Sequence, residues 1–399
     1  MRKILNILLF FLPLPFLASH YVIVADYSGL SYILKHVTVI SVLIVALIVH
    51  VPFNRIRYYR AYFTISLALF ISYLFINYIL ISKINIINSF YLLSYVVLFV
   101  YTYLLGRMKD ALKLLLYPYY GLLLLLIITI LTSIIFDVNL YSTWGMIDST
   151  VLRKRWTFGY FHPGYFASFV MILGVLAHVL IKRELLSNLN YLVVIASLVL
   201  IYLSGTRNSF ISYLIFLLIS HSRASFRMMK AGFVLVAAII SIMLFNSWGL
   251  INSLSSGRLS TWLTHLVYNG DSFNFLVGTG LGNAKRIEFA SNWVGESEHD
   301  IVFHVDNFYF EIFMQFGIIG LFLFFGVILS LFVSIKKSGL KGYNSRVLKA
   351  LLLSLMFFGF FDSAFLSTGN LVPVLLWTIF FIQLNIENSG CVVETDSTN

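Results

Sequence analysis

The chain has 399 residues, 60% of them hydrophobic and only 11% charged, with a mean hydropathy of +0.93. Soluble globular chains carry about 25% charged residues, so the composition excludes that class and points to a polytopic integral membrane protein. The formal net charge of +11 reads as a topology signal and an attraction to anionic headgroups, not as a nucleic-acid surface.

Taken in chain order, apolar runs predict helices at about 4–24, 30–51, 61–82, 87–105, 114–136, 160–181, 190–204, 208–220, 231–248, 309–334, 350–366 and 371–386, about twelve in all. The expected fold is all-α, because lipid satisfies no backbone groups and only helices or closed barrels do so internally. A barrel strand would alternate, whereas Leu114 to Leu131 is almost continuously apolar. Arg2 and Lys3 ahead of Ile4 to Leu17 have the pattern of a signal peptide, yet no small-residue cleavage site follows, so a retained first span is expected. The single cysteine, Cys391, excludes a disulfide framework and a cysteine-based metal site.

Basic connections alternate along the chain: Arg2/Lys3, Arg55/Arg57/Arg60, Arg107/Lys109/Lys113, Lys182/Arg183, Arg223/Arg227/Lys230 and Lys336/Lys337/Lys341/Arg346/Lys349. By the positive-inside rule these face the cytoplasm, with both termini. The organisation that follows is an N-terminal membrane part over 1–248 with about nine spans, one large extracytoplasmic loop over 249–307, a C-terminal membrane part over 308–386 with about three spans, and a cytoplasmic tail over 387–399. The exceptions to the rule are Lys35, Lys83, Arg153, Lys154, Arg155, Arg207, Arg258, Lys285 and Arg286. Basic residues on the outer side need another reason. Lipid phosphates supply one for Lys35, Lys83, Lys285 and Arg286, and an anionic substrate supplies one for the rest.

Four segments carry chemistry. Arg207 lies in the tight turn Ser204-Gly205-Thr206-Arg207-Asn208, where a guanidinium either anchors a helix end or offers its planar fork to phosphate oxygens. Gly257-Arg258-Leu259-Ser260-Thr261-Trp262 reads as a helix start with Arg258 and Trp262 on one face, suited to phosphate and sugar or to an interfacial aromatic anchor. Arg153 and Arg155 precede Phe158-Gly159-Tyr160-Phe161-His162-Pro163-Gly164, where Pro163 suits a first helical turn and His162 stands at its outer end. His304 precedes a helix expected to begin near Asp306 or Asn307, and histidine is the side chain matched to proton transfer near neutral pH. The run Gly278-Thr279-Gly280-Leu281-Gly282 lacks the strand and the Lys-Ser/Thr of a nucleotide loop, so its glycines are expected to let the chain double back against the membrane helices. Glu298, His299, Asp300, His304 and Asp306 fit no standard metal-ligand spacing.

In their order, F-G-Y-F-H-P-G-Y-F-A, S-G-T-R-N-S, S-G-R-x-x-x-W, V-G-T-G-L-G and H-x-D-N-F-Y, over about residues 153 to 325, the segments resemble the O-antigen ligase and polymerase superfamily of bacterial envelope proteins. The resemblance implies a GT-C-like, metal-independent, inverting glycosyltransferase of the cytoplasmic membrane, acting on its outer face without a cofactor. Its donor and acceptor would be polyprenyl-pyrophosphate-linked oligosaccharides, with membrane lipids, a chain-length regulator and a flippase as further partners. It implies that Arg207 and Arg258 bind pyrophosphate and that His304 is the catalytic histidine, with Arg153, Arg155, His162 and Trp262 lining the substrate site. His162-Pro163-Gly164 stands where the family often has His-Pro-Asn. The segments look closer to repeat-unit polymerases than to ligases or protein O-oligosaccharyltransferases. A lipid-linked oligosaccharide flippase is the rival outside the enzymes; it would place charges at the bilayer midplane, where Asp362 is the one candidate, and show related halves.

Overall fold

The computed structural model describes residues 2–21, 28–48, 59–82, 84, 86–106, 108, 110–138, 140–144, 153–221, 258–268, 273–281, 288–289, 301–302, 307–337, 343–362, 366 and 370–386. Helix dominates them: α1 (Arg2–Phe11), α2 (Pro13–Ala18), α3 (Ser28–Ile48), α4 (Tyr59–Leu80), α5 (Ile86–Gly106), α6 (Ala111–Leu114), α7 (Leu116–Ile135), α8 (Pro163–Lys182), α9 (Tyr191–Ser204), α10 (Arg207–His221), α11 (Arg258–Tyr268), α12 (Phe308–Lys337), α13 (Tyr343–Gly359) and α14 (Leu371–Ile386). Among the described residues four segments are long and apolar enough to cross a membrane, Tyr62–Leu80, Ala111–Ile135, Pro163–Lys182 and Phe308–Lys336; Leu34–Ile48, Leu92–Gly106, Asn188–Ser204 and Leu371–Leu384 are apolar but shorter. These helices accord with an all-α membrane protein; the first expected span, 4–24, is divided into the short helices α1 and α2, and the span expected at 231–248 lies outside the described residues.

Two short hairpins accompany the helices. Tyr141–Trp144 forms β1 and pairs antiparallel with β2, Arg153–Trp156, in the register Tyr141 to Trp156 and Ser142 to Arg155. The basic run cannot lengthen α8, whose start is set by Pro163, so it satisfies its backbone across a hairpin. A second short pair joins β3 (Glu288–Phe289) to β4 (Ile301–Val302) within the expected loop.

The core is built around α8, which packs against α7, α9, α10 and α14 and is buried along nearly its whole length. Without a hydrophobic drive between helices in lipid, small residues that permit close approach take its place. Gly174 of α8 does this: a Cβ there would collide with the Tyr213 hydroxyl and sit 2.9 Å from Ser197 Cβ. Polar groups are satisfied across helices. Tyr213 Oη donates to Val194 O at 3.2 Å, Ser354 Oγ to Ser212 O at 2.8 Å, and Tyr309 Oη to Met356 O at 2.7 Å. Through the last two bonds α13 ties α10 to α12.

The helix α12 is broken at Gly317, whose backbone (φ 65°, ψ −169°) is non-helical. The break frees backbone groups at both new ends, and the glycine-rich segment 273–281 supplies their partners. Thr279 N donates to Met314 O and Gly280 N to Gln315 O, each at 2.9 Å, while Ile318 N donates to Phe275 O at 3.0 Å and Ile319 N to Leu276 O at 3.2 Å. Helix α4 and the turn after it secure the join from the other side. Tyr73 Oη donates to Phe316 O, Asn77 Nδ2 to Val277 O, both at 2.7 Å, and Leu281 N to Ser82 Oγ at 2.6 Å. The expectation that these glycines fold the chain back on the helices is met, and the reason is the close contact: a Cβ on Gly278 would lie 2.5 Å from the Gln315 carbonyl.

Candidate functional site

The N-terminus of α8 is fixed by the segment expected to carry its histidine. Beyond β2, Thr157 N and Phe158 N both donate to Leu140 O, at 3.0 and 3.2 Å. Phe158 (φ 46°) and Gly159 (φ 85°) then turn the chain through left-handed backbone. A side chain at Gly159 would collide with the Tyr21 ring. His162 is the N-cap of α8: its backbone is extended and its Nδ1 accepts from Gly164 N at 3.0 Å, with Pro163 in the first turn. An accepting Nδ1 leaves the proton of the neutral ring on Nε2, which is a donor.

Two of the expected basic segments meet. Helix α9 ends at Gly205, in left-handed backbone (φ 66°), and α10 begins at Arg207. The side chain of Arg155 lies along this turn, since a Cβ on Gly205 would stand 3.3 Å from Arg155 Cγ and 3.5 Å from its Cδ and Nε. The left-handed φ calls for glycine, and the arginine stem leaves little room for a Cβ beside it. Below the turn, Ser204 Oγ and Thr206 Oγ1 are 2.7 Å apart, and Ser168 Oγ of α8 lies 3.3 Å from Ser209 Oγ of α10. Arg207 is exposed at the head of α10, where the peptide dipoles favour anions. Two guanidinium side chains and a helix N-terminus are thus gathered at one corner of the bundle, an arrangement suited to phosphate oxygens.

A second pair of segments meets on α12. Arg258 opens α11, as expected, and Trp262 one turn later stacks on Phe310 with ring centroids 6.0 Å apart and planes 19° apart. Phe310 belongs to the first turn of α12, capped by Asn307, whose Oδ1 accepts from Phe310 N at 2.9 Å. The helix start expected near Asp306 or Asn307 is therefore present. Phe273 and Phe275 add edge contacts to Phe313 at 5.1 and 5.7 Å, so the aromatic wall continues into the segment that plugs the break in α12.

The structure brings Arg155 to the turn bearing Arg207, and Trp262 to the helix that follows His304. His304 itself and the side chains of Arg153 and Arg258 lie outside the described residues, as do Glu298, His299, Asp300 and Asp306. Among the described residues no group of three or more His, Cys, Asp or Glu side chains is placed to hold a metal. Sequence reasoning passed over the break at Gly317 and the side chains that close it. A glycine inside an apolar helical run was the available signal for the first, and Asn77, a buried amide within a span, for the second. No family model matches the chain, and no curated protein matches it either.

Proposed function

We propose that the chain is a polysaccharide repeat-unit polymerase that joins polyprenyl-pyrophosphate-linked oligosaccharides at the outer face of the cytoplasmic membrane. The observation that supports this reading most is the convergence of Arg155 on the Gly205 turn that presents Arg207 at the head of α10. In the proposed reaction an acceptor hydroxyl attacks the anomeric carbon of the donor glycan. The new C–O bond forms with inversion as the bond to pyrophosphate breaks, and the pyrophosphate leaves with the electron pair. Arg207, Arg155 and Arg258 stabilise the charge that develops on the leaving group, since fixed cations act where charge appears in the transition state. His304 takes the hydroxyl proton, and Trp262, backed by Phe310, provides an aromatic face for a sugar ring.

Reconstitution with purified lipid-linked repeat units tests the proposal. Chain extension in the presence of a chelator is the expected result. Transbilayer movement of the lipid without extension overturns it in favour of a flippase, and transfer only to a lipid-A-type acceptor overturns it in favour of a ligase. Arg258→Ala and His304→Ala are expected to abolish extension at normal expression levels; full activity in either removes that residue from the mechanism.

A further inference from the structure

Toward the end of α8 opposite His162, buried donors from three helices collect without acceptors. His178 is fully buried, and neither nitrogen of its ring has a hydrogen-bond partner. In either charge state a histidine ring carries at least one N–H. Ring contacts fix its surroundings. The centroid of His221, exposed at the end of α10, lies 4.6 Å away, and that of Tyr343, the first residue of α13, 6.1 Å. Tyr191, at the start of α9, stands 6.5 Å away and has the Lys182 ammonium 5.7 Å from its ring centre. His221 is itself anchored, its Nδ1 donating to Leu217 O at 3.0 Å.

More donors at this end are in the same condition. The Tyr343 hydroxyl and the Nε of Arg346, one turn further along α13, are buried and unpartnered, as is Nε2 of Gln383 near the end of α14. Gln383 is held by Arg183, the residue that ends α8, whose Nη2 donates to Gln383 Oε1. Burial pushes the Tyr343 hydroxyl up, and the guanidinium groups of Arg183 and Arg346 pull against it. Arg346 Nε and Gln383 Nε2 can only donate. Buried donors in native proteins have partners, and one left without an acceptor keeps its whole desolvation cost. A water molecule accepts two hydrogen bonds. A phosphate offers several oxygens that share negative charge, and its bonds to such donors are the strong, charge-assisted kind. Beside the cluster, between the end of α8 and the start of α9, lies a cleft of about 530 Å3 to which Lys182 and Tyr191 also belong; Glu184 is the one acid on its wall.

We infer that His178, Tyr343, Arg346 and Gln383 form a binding site for a phosphate-bearing anion, at the end of the bundle that the charge pattern assigns to the cytoplasm. All four donate to its oxygens, Arg183 holds Gln383 in place, and Lys182 adds charge at the mouth. The occupied site ties α8, α13 and α14 together through one ligand. It lies at the other end of α8 from Arg155 and Arg207 and does not rest on the polymerase reading. The phosphate can come from the headgroup of an anionic lipid or from free phosphate in solution.

Binding to the whole protein in phosphatidylcholine nanodiscs tests the site, with labelled inorganic phosphate in one arm and short-chain phosphatidylglycerol in the other. The wild type is expected to saturate with one equivalent of phosphate, which identifies a soluble source, or of phosphatidylglycerol, which identifies a headgroup. Arg346→Met and Tyr343→Phe should each weaken that equivalent by about tenfold or more, the scale of one hydrogen bond to a charged group. Lys336→Met, which removes an exposed cation from the end of α12, should leave it unchanged. Tyr343→Phe deletes a single oxygen and carries the test if Arg346→Met does not fold. Absence of saturable binding in both arms overturns the inference and leaves water as the partner of these donors. Wild-type affinity in either site variant overturns it as well, and so does an equal loss in Lys336→Met, which would reduce the effect to general surface charge.

Discussion

Arg207 occupies the place in a helix where a cation is opposed by the peptide dipoles, and the segment around it is built to hold it there. Gly205 provides the left-handed turn, the hydroxyls of Ser204 and Thr206 close it from within, and Arg155 lies across it. A bound diphosphate reverses the sign of this local conflict. Under the polymerase reading, Arg207→Ala should slow chain extension by roughly 100-fold or more, the scale of losing one preorganised donor to a developing oxyanion. Arg207→Lys should recover only part, because an ammonium keeps the charge and loses the fork. Equal activities for Arg207→Lys and the wild type in a single-turnover assay would show that charge alone matters. The arginine and its turn were legible from sequence; the contact with Arg155 was not, because it depends on a hairpin register that local patterns leave open.

Helix α12 shows what an element can hide. An apolar run of its length reads as one span, and Gly317 within it resembles Gly320 and Gly326 by composition. Only the three-dimensional surroundings separate them. Gly317 has left-handed φ and faces the Leu276 and Val277 backbone, whereas a Cβ on Gly326 meets nothing within 4 Å. Gly317→Ala should therefore destabilise by about 1–3 kcal/mol from backbone conformation alone, with displacement of segment 273–281 added. Gly326→Ala should stabilise by up to about 1 kcal/mol through helix propensity. Unfolding midpoints of the two variants in detergent check both signs, and equal shifts would contradict the account of the break. Helix positions were otherwise readable from hydropathy, since a 20-residue apolar run has few alternatives in lipid. The hairpin at Arg153–Trp156 was not, since four residues carry too little periodicity to show it.

For the molecule as a whole, the orientation expected from the charge pattern can be tested at the two ends of α8. Phe161 and Ser187, both exposed, flank α8 at opposite ends. In a Cys391→Ser background, Phe161→Cys should react with a membrane-impermeant maleimide on intact cells and Ser187→Cys only after permeabilisation. Labelling of both from one side would remove α8 as a span and with it the outer placement of the site. The motifs were legible because each is local; their assembly was not, because α13 couples the α10 corner to α12 through Ser354 and Tyr309, contacts far apart in sequence. The plug in α12 also bears on how the protein is made. Helix α4 and segment 273–281 precede Gly317 in the chain, so the groups that pair with the broken helix are synthesised before it. Pairing with them leaves the peptide groups at the break satisfied, as hydrocarbon requires. Lesions in Tyr73, Asn77 or Ser82 should consequently appear first as chains that misinsert and are degraded during biogenesis, with the surviving molecules close to normal in activity.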